Sequence, residues 1–546
     1  MKIVIIGGVA AGMSCAARLR RLDEGAQIVV FDKGEHVSFA NCGLPYHMSG
    51  VIEKRDALLL QTPQTLKQSL NLDVRILCEV TAIDRKARTV AVREVRTGRV
   101  YQESYDKLVL ALGARGLRPP LPGLDHPAVH ELRTIEDLSA IMERLETGTK
   151  RAVVMGGFIG LESAENLRRR GLAVTLVEKM PQIMGPLDPE MAQYVKEHLV
   201  QQGITVITGC GVTGFAEAAG AVRVSLEDGR SLEADLVVLA IGAVPNSGLA
   251  KAAGLAVGPF GGIAVDARMR TEDPDIYAAG DAVETFEFVS GKPCYIPLAG
   301  PANRQGRLVA DQIAGRDQQY QKTQGTALIQ LFDLAVGVTG LNEKALKRAG
   351  VPYRKIYLHP TGHAGYYPGS RPMHFKLLFA PDGKAILGAQ IVGHDGVDKR
   401  IDVIATAMRG NLGVFDLEHL ELGYAPQFGS AKDPINMAGF IASNLVHGDV
   451  DFWYPEEYPA ATAGMVLADV RPKADYDAWH IPGAEHLPLG ELRKKVETLD
   501  KGREYRVYCK VGLRSYLAYR ILHQHGFKVK TLAGGGDLFR AVHPAQ

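Results

Sequence analysis

The sequence predicts an α/β chain built on two Rossmann-like dinucleotide-binding domains, with further domains behind them. Three observations predict it. An apolar strand over residues 2–8, a glycine turn, a helix over 10–22 and a second strand over 26–31 end on Asp32. The same series recurs at 151–157, 158–170 and 173–177, and ends on Glu178. Each series then closes on a similar segment, YDKLVLALGA at 105–114 and ADLVVLAIGA at 234–243. Strand, turn, acid and closing strand recur together, which marks an internal repeat and not one large sheet with two ordinary turns.

The two turns carry the first chemistry. Glycine lets the backbone turn tightly and lets a phosphate approach the N-terminus of the helix, where free N–H groups and the helix dipole favour an anion. Gly7 and Gly12 hold the outer positions of the first turn, with Val9 in the middle one. Gly157 and Gly160 fit the second turn, with Met155 in place of its first glycine. Asp32 and Glu178 stand where an acid accepts hydrogen bonds from ribose hydroxyls. A carboxylate repels a 2′-phosphate, so Glu178 favours NADH over NADPH, with Lys179 and Arg168, Arg169 and Arg170 as nearby cations that oppose this reading.

Bulk composition bounds the rest. A chain of 546 residues has room for several cores. Lys+Arg 63 against Asp+Glu 61 gives no basic face for nucleic acid and no acidic tail. Six scattered cysteines without a CxxC pair argue against a disulfide framework or zinc site, and no metal is expected. Together with the lack of a long apolar run, this predicts a cytoplasmic protein. The apolar start, residues 3–17, is broken by glycines and reads as strand, turn and helix, not as a leader.

The segment Ser38-Phe39-Ala40-Asn41-Cys42-Gly43-Leu44-Pro45-Tyr46 places a lone cysteine in a tight Gly/Pro context just after the first unit. Most free cysteines are small buried hydrophobes. Here a redox-active thiol is expected. Residues 271–281 (TEDPDIYAAGD) follow the second unit and end in Gly280-Asp281. With these landmarks, residues 1–445 resemble the FAD-dependent pyridine nucleotide-disulfide oxidoreductases. The resemblance implies FAD on Gly7, Gly12, Asp32 and Lys33, with Val80, Ala111 and Asp281 also in contact. It implies NADH on Gly157, Ile159, Gly160, Glu178 and Gly242. It divides the chain into an FAD-binding domain (1–112 and 236–321), an NAD-binding domain (113–235) and an α+β dimerisation domain (322–445), and implies a homodimer.

Relatives of the glutathione-reductase type carry two cysteines close in sequence, whereas Cys42 stands alone. The resemblance therefore narrows to the single-cysteine branch of NADH oxidases, NADH peroxidases and coenzyme A-disulfide reductases. Peroxide- and oxygen-reducing members carry a histidine in the first turn, where this chain has alanine. Residues 38–46 and 424–436 look like coenzyme A-disulfide reductase. That resemblance implies catalytic roles for Tyr367 and Tyr424 from a partner subunit. It implies coenzyme A contacts at Ser14, Arg18, Arg21, Ser38, Asn41, Asn303 and Lys432. Without it, Arg18 and Arg21 read as an exposed basic helix face.

Residues 446–459 are polar, aromatic and Pro-containing, and read as a linker. Behind them, Ala468-Asp469-Val470-Arg471, the turn at 480–484, and a strand running into Cys509-Lys510-Val511-Gly512-Leu513-Arg514-Ser515 resemble an α/β rhodanese domain over 460–546. A loop between strand and helix aims N–H groups at one point, and Arg514 adds charge, which suits a thiolate or persulfide at Cys509. The Cys-x4-Arg spacing is one residue shorter than a phosphate-holding Cys-x5-Arg loop, so a smaller sulfur species is expected. The whole resembles fused coenzyme A-disulfide reductase/rhodanese proteins, also described as NADH-dependent persulfide or polysulfide reductases, and implies persulfide, polysulfide or coenzyme A disulfide as substrates. The alternatives are a coenzyme A-disulfide reductase with NADH oxidase activity for thiol homeostasis, and a flavin redox sensor whose rhodanese domain binds a partner.

Overall fold

A computed structural model describes residues 1–218 and 220–544. The chain forms two compact units, Met1–Ile183 with Gly203–Gly325, and Met184–Gln202 with the chain from Thr326 onward.

The first unit holds two five-stranded parallel sheets. In the first, the strand order is Ile276–Ala278, Lys107–Leu110, Lys2–Ile6, Gln27–Phe31, Asp73–Arg75. The second runs Thr205–Thr208, Ala173–Glu178, Arg151–Met155, Leu236–Leu239, Val129–His130. The central strands KIVII and RAVVM are nearly continuous apolar runs, as a strand covered on both faces requires. Each sheet has a three-stranded antiparallel companion, Cys78–Asp84/Thr89–Glu94/Val100–Ser104 and Val212–Ala218/Ala221–Leu226/Ser231–Ala234. Helix Ala10–Leu22 lies along helix Ala299–Ile313, and the approach is so close that a Cβ on Gly306 would stand 2.1 Å from the Ala11 carbonyl oxygen.

Two expected boundaries move. Leu236–Leu239 pairs with Arg151–Met155, so the return to the first sheet comes after that strand and not at residue 236. Residues 184–202, inside the range expected for the NAD-binding domain, belong to the second unit. The closing segments of the repeat are also shorter than expected, because the sheet pairs only the four-residue apolar cores Lys107–Leu110 and Leu236–Leu239.

The second unit contains an antiparallel sheet ordered Ala327–Leu331, Leu334–Gly340, Ile386–Gly393, Met373–Phe379, Arg354–Leu358. A second, parallel sheet follows, ordered Phe452–Trp453, Lys528–Leu532, Glu504–Tyr508, Val466–Asp469, Glu485–His486. The segment expected as a linker thus contributes an edge strand to the C-terminal sheet, with Phe452 paired to Thr531 and Trp453 to Leu532. Of the segment's aromatic residues, Trp453 is buried in the core. The segment 424–436 runs into helix Pro434–His447, started by the Asp433 carboxylate on the Ile435 N–H and by proline in the first turn.

A buried charge cluster joins the parts of this unit. Lys376 has 0 % side-chain exposure and its ammonium contacts Asp188 (2.7 Å), Glu190 and Glu343. Gln390 donates to Asp188, and Lys355 reaches Glu343 (2.9 Å) and Glu456. Burial works against a charged Glu343, but Lys376 and Lys355 overcome it and hold the carboxyl down at about 2. Lys376→Met would leave three carboxylates without their common cation. We expect it to lower unfolding stability by about 3–5 kcal/mol, the loss typical of breaking a buried pair. Exposed Lys473→Met should change it by about 0.5 kcal/mol or less. Denaturant unfolding of both variants measures the difference, and equal losses would remove the cluster from its structural role.

Candidate active site

At the first turn, helix Ala10–Leu22 starts without a side-chain cap, because its N-cap is Val9. Its first N–H groups stay free for an anion. Gly7 has φ +107, and a Cβ there would lie 2.1 Å from the Ala111 carbonyl oxygen. Asp32 accepts from the Gly8 N–H (2.7 Å) and the Gly34 N–H (2.8 Å), which fixes the carboxylate at the strand end. Burial pushes the Asp32 carboxyl up, against those two bonds. Val80 is buried beside the same core, and Lys33 is exposed next to Asp32. Asp281 sits in the turn Gly280–Ala282, half-buried, with its carboxyl raised by burial and no side-chain hydrogen bond among the described residues. Uncapped helix, close glycine and an unused acid together fit FAD.

The second turn repeats the design. Gly157, φ +71, is the N-cap of helix Phe158–Arg169 and offers no side-chain cap. A Cβ on it would meet the Ala240 carbonyl oxygen at 2.3 Å. Gly160 is buried in the first turn, Ile159 half-buried beside it, and Gly242 takes φ +137 in the loop after Leu236–Leu239. Glu178 accepts from the Met180 N–H (2.9 Å) and its other oxygen lies over Gly156. The cations that opposed the NADH reading are engaged elsewhere. Lys179 pairs with Glu227 (2.8 Å), Arg169 with Glu165 (2.8 Å), and Arg170 donates to the Met48 carbonyl (2.9 Å).

Cys42 stands in the short turn Asn41–Gly43, which runs into helix Leu44–Ser49. That helix packs on Phe158–Arg169 through Ser49 to Asn166 (2.6 Å) and Arg170 to Met48. The cysteine turn is thereby tied to the helix that opens at the second glycine turn. Asn41 Oδ1 accepts the Cys42 N–H (3.1 Å) and lies 3.8 Å from the sulfur. Cys42 is exposed, yet partial burial and the carboxylates of Glu162 and Asp281 push its thiol up. Tyr46 Oη donates to Glu162 (3.2 Å), and burial raises the Glu162 carboxyl to about 7. The sequence reading missed Glu162 and Tyr46. The available signal was a pair of acids, Glu162 and Glu165, three residues apart on helix Phe158–Arg169.

The residues implied for coenzyme A divide between the units. Ser14, Arg18 and Arg21 lie on helix Ala10–Leu22, and Asn303 lies on the neighbouring helix, where it accepts the Ser14 hydroxyl. Arg18 directs Nε and Nη2 at buried Asp311 (3.0 and 2.9 Å), while Arg21 is exposed. Ser38 takes the left-handed conformation, φ +49, and its N–H donates to the Gly8 carbonyl. A non-glycine residue there marks a constrained turn.

Lys432, Tyr367 and Tyr424 belong to the second unit. Tyr424 shares a hydrogen bond with the Tyr366 hydroxyl (2.9 Å), whereas Tyr367 sets its ring edge-to-face with His363. Tyr366 is 76 % exposed and Phe428 71 %, so with Tyr367 and Tyr424 they form an exposed aromatic patch. Exposed Lys432 follows it in sequence. Tyr366 was not singled out in the sequence because the two tyrosines are adjacent and only the backbone turn decides which one meets Tyr424.

In the C-terminal domain, Cys509 directly follows strand Glu504–Tyr508 and is 2 % exposed. The Gly512 N–H points at its sulfur (3.2 Å), and Gly512, φ +107, starts helix Leu513–Gln524. Arg514 is exposed and 3.8 Å from Asp475. Buried Arg471 bonds Asp469 and the Trp479 carbonyl, under the Trp479 and Tyr508 rings.

Comparison with known proteins follows the same division. Residues 1–306 match the family described as pyridine nucleotide-disulphide oxidoreductase, 326–433 its dimerisation domain, and 457–541 the rhodanese-like domain. A coenzyme A disulfide reductase of Staphylococcus haemolyticus is 33% identical over 448 residues, covering 81% of this chain and 100% of that protein. A protein named NADH oxidase from Methanocaldococcus jannaschii is 36% identical over 444 residues, covering 80% and 98%. The reduced CoADR-RHD of Bacillus anthracis superposes with a TM-score of 0.97 at 45% identity, covering 100% of this chain and 98% of that one. A NAD-dependent persulfide reductase from A. fulgidus gives 0.93 at 37%, covering 98% and 100%. No described helix is long and apolar enough to cross a membrane. With two uncapped helices behind glycine turns and a match over more than half its length, the chain belongs to the pyridine nucleotide-disulphide oxidoreductases, enzymes that use FAD and NADH, and carries a C-terminal rhodanese-like domain.

Proposed function

We propose that this oxidoreductase uses NADH to reduce coenzyme A persulfide, polysulfide and coenzyme A disulfide through Cys42, and that Cys509 handles sulfane sulfur. The observation that carries this reading is that Cys42 is the one exposed thiol among six unpaired cysteines, held in a turn that packs against the helix of the second glycine turn. The similar coenzyme A disulfide reductase and persulfide reductase support the substrate class.

The reaction needs a thiolate at Cys42. Glu162, near 7, can take up the proton that Cys42 releases, which removes the negative charge opposing the thiolate. Tyr46 keeps the Glu162 carboxyl in place. The thiolate attacks a sulfur of the substrate, forms a disulfide or persulfide on Cys42, and expels the thiolate leaving group. Two electrons that originate in NADH then cleave that bond and restore the Cys42 thiolate, releasing the second thiol or hydrogen sulfide. Bound FAD supplies the two-electron redox chemistry between nicotinamide and sulfur. Asp32, Lys33, Val80, Ala111 and Asp281 with Gly7 and Gly12 would hold it, and Gly157, Ile159, Gly160, Glu178 and Gly242 would hold NADH.

Coenzyme A would lie near Ser14, Arg18, Arg21, Ser38, Asn41 and Asn303, with Lys432 and the tyrosines supplied by a second copy. The exposed aromatic patch of Tyr366, Tyr367, Tyr424 and Phe428 in the matched dimerisation domain supports a homodimer in which another subunit covers it. The protein would act in the cytoplasm, where free thiols persist.

Cys42→Ser should abolish disulfide and persulfide turnover while FAD stays bound and reducible by NADH. Steady-state NADH oxidation with coenzyme A persulfide, coenzyme A disulfide, polysulfide, peroxide and oxygen, beside the flavin spectrum, checks this. Near-normal disulfide turnover in the variant would sink the reading, and turnover on oxygen alone would favour an oxidase.

NADH should outperform NADPH. Glu178→Ala should narrow the ratio of kcat/KM values about tenfold by removing repulsion of the 2′-phosphate. A wild-type preference for NADPH would overturn the assignment of Glu178.

Cys509→Ser should spare reduction of small soluble persulfides, impair the use of polysulfide or thiosulfate-type donors, and abolish sulfur transfer to cyanide. Equal loss on every substrate would mean that sulfur passes obligatorily through Cys509. No loss on any substrate would leave the domain as a binding module.

A further inference from the structure

The loop that carries Cys509 rests on a second loop, and that loop is held from outside its own domain. The Gly536 N–H donates to the Cys509 carbonyl (2.8 Å) and the Asp537 N–H to the Lys510 carbonyl (3.0 Å). Gly534 and Gly535 both take φ +69, and a Cβ on Gly535 would stand 2.6 Å from the Lys510 oxygen. The 534–537 turn is thus pressed against the backbone of the cysteine loop, with no room between them.

The Gly534 carbonyl meets His359 Nε2 at 3.0 Å, and His359 Nδ1 meets His374 Nδ1 at 2.9 Å. Both histidines belong to the antiparallel sheet, His359 just after strand Arg354–Leu358 and His374 within Met373–Phe379. A carbonyl can only accept, so His359 Nε2 carries a hydrogen. Burial lowers the His359 imidazole to about 4 and the His374 imidazole to about 3, so both are neutral at physiological pH. A neutral His359 protonated on Nε2 has a bare Nδ1, and His374 must therefore donate from its own Nδ1. The polar chain has one direction: His374 to His359 to Gly534. The Tyr194 ring stacks on His374 (3.6 Å between centroids, 10° between planes) and fixes its plane.

We propose that His359 and His374 are positioning residues for sulfur transfer at Cys509, holding the Gly534 carbonyl so that the 534–537 turn sets the backbone of the cysteine loop. This rests on the role proposed above for Cys509. Neither histidine touches the sulfur. Each acts through the turn, and the tautomer pair gives a fixed donor where a lone neutral imidazole would have two choices.

The test compares His359→Leu, which removes the donor, with His359→Gln, whose amide N–H can replace Nε2–H, in the full-length holoenzyme. His374→Asn, which keeps a donor at the Nδ1 position, is the matching variant one step back. Sulfur transfer from thiosulfate to cyanide, NADH turnover of a small soluble persulfide, and amide hydrogen exchange at Gly536 and Asp537 are read for each. We expect His359→Leu to lower kcat for sulfur transfer about 10- to 100-fold with little change in KM, as for a misplaced reacting group. Exchange at the two amides should quicken, and persulfide turnover at Cys42 should stay near wild type. His359→Gln and His374→Asn should recover most of the transfer rate. Wild-type transfer by His359→Leu, an equal defect in His359→Gln, or a parallel fall in NADH turnover would each overturn the proposal. Wild-type protein that passes no sulfur to cyanide would overturn the role of Cys509 itself. Unchanged exchange at Gly536 and Asp537 would overturn the anchor alone.

Discussion

The second unit depends on one ammonium. Lys376 collects carboxylates from two stretches of chain far apart in sequence, Asp188 and Glu190 at the start of helix Pro189–Gln201 and Glu343 at the start of Glu343–Ala349. Without it, three acids would face one another in a region closed to water. The neighbouring strand continues the same logic. Lys355, Tyr357 and His359 alternate along it and so share one face. Lys355 reaches Glu343 and Glu456, Tyr357 donates to Glu190, and His359 holds Gly534. Tyr454 returns a hydrogen bond to the Lys355 carbonyl and lays its ring under the ammonium. One face of one strand therefore sets helix 189–201 and the C-terminal domain in register with the sheet.

In the first unit the governing constraint is backbone approach. Both helices behind the glycine turns begin with residues that cannot cap them, Val9 and Gly157, so their N-terminal N–H groups are left for a ligand. The same closeness brings acids together. Glu162 and Asp281 both bear on the Cys42 thiol, and Arg133 offsets Asp281 only in part. The chain by itself favours a thiol at rest, and a thiolate requires a proton to move onto Glu162 or a positive group to arrive.

Much of this was legible before any coordinates. The repeat, the two acids at the strand ends and the Cys42 segment are local patterns, and local patterns translate directly into parallel strands and helix starts. What escaped was long-range. Glu162 acts on Cys42 across 120 residues of sequence, and no spacing rule joins them. Arg18 looked free on its helix because Asp311, its partner, lies on a different one. Tyr366 and Tyr367 are equivalent as letters, and a single backbone turn sends one to Tyr424 and the other to His363. The point at which the chain returns to the first sheet is not legible in the sequence, because both sheets close on nearly identical apolar strands, and only pairing keeps Leu236–Leu239 with Arg151–Met155.

The short strand Phe452–Trp453 has a consequence for how the last domain can be regarded. It precedes the span that matches the rhodanese-like family, yet it is the outer rung of that domain's sheet, and Trp453 lies in its core. A cut placed at the family boundary would strip that rung, leave the Lys528–Leu532 strand with a bare row of N–H and C=O groups, and open the bed of an indole. Open edges of that kind invite pairing between chains. The domain is thus not a detachable cassette whose limits follow the family match: its smallest self-sufficient form begins within what links it to the reductase, and the two halves share a seam rather than a tether.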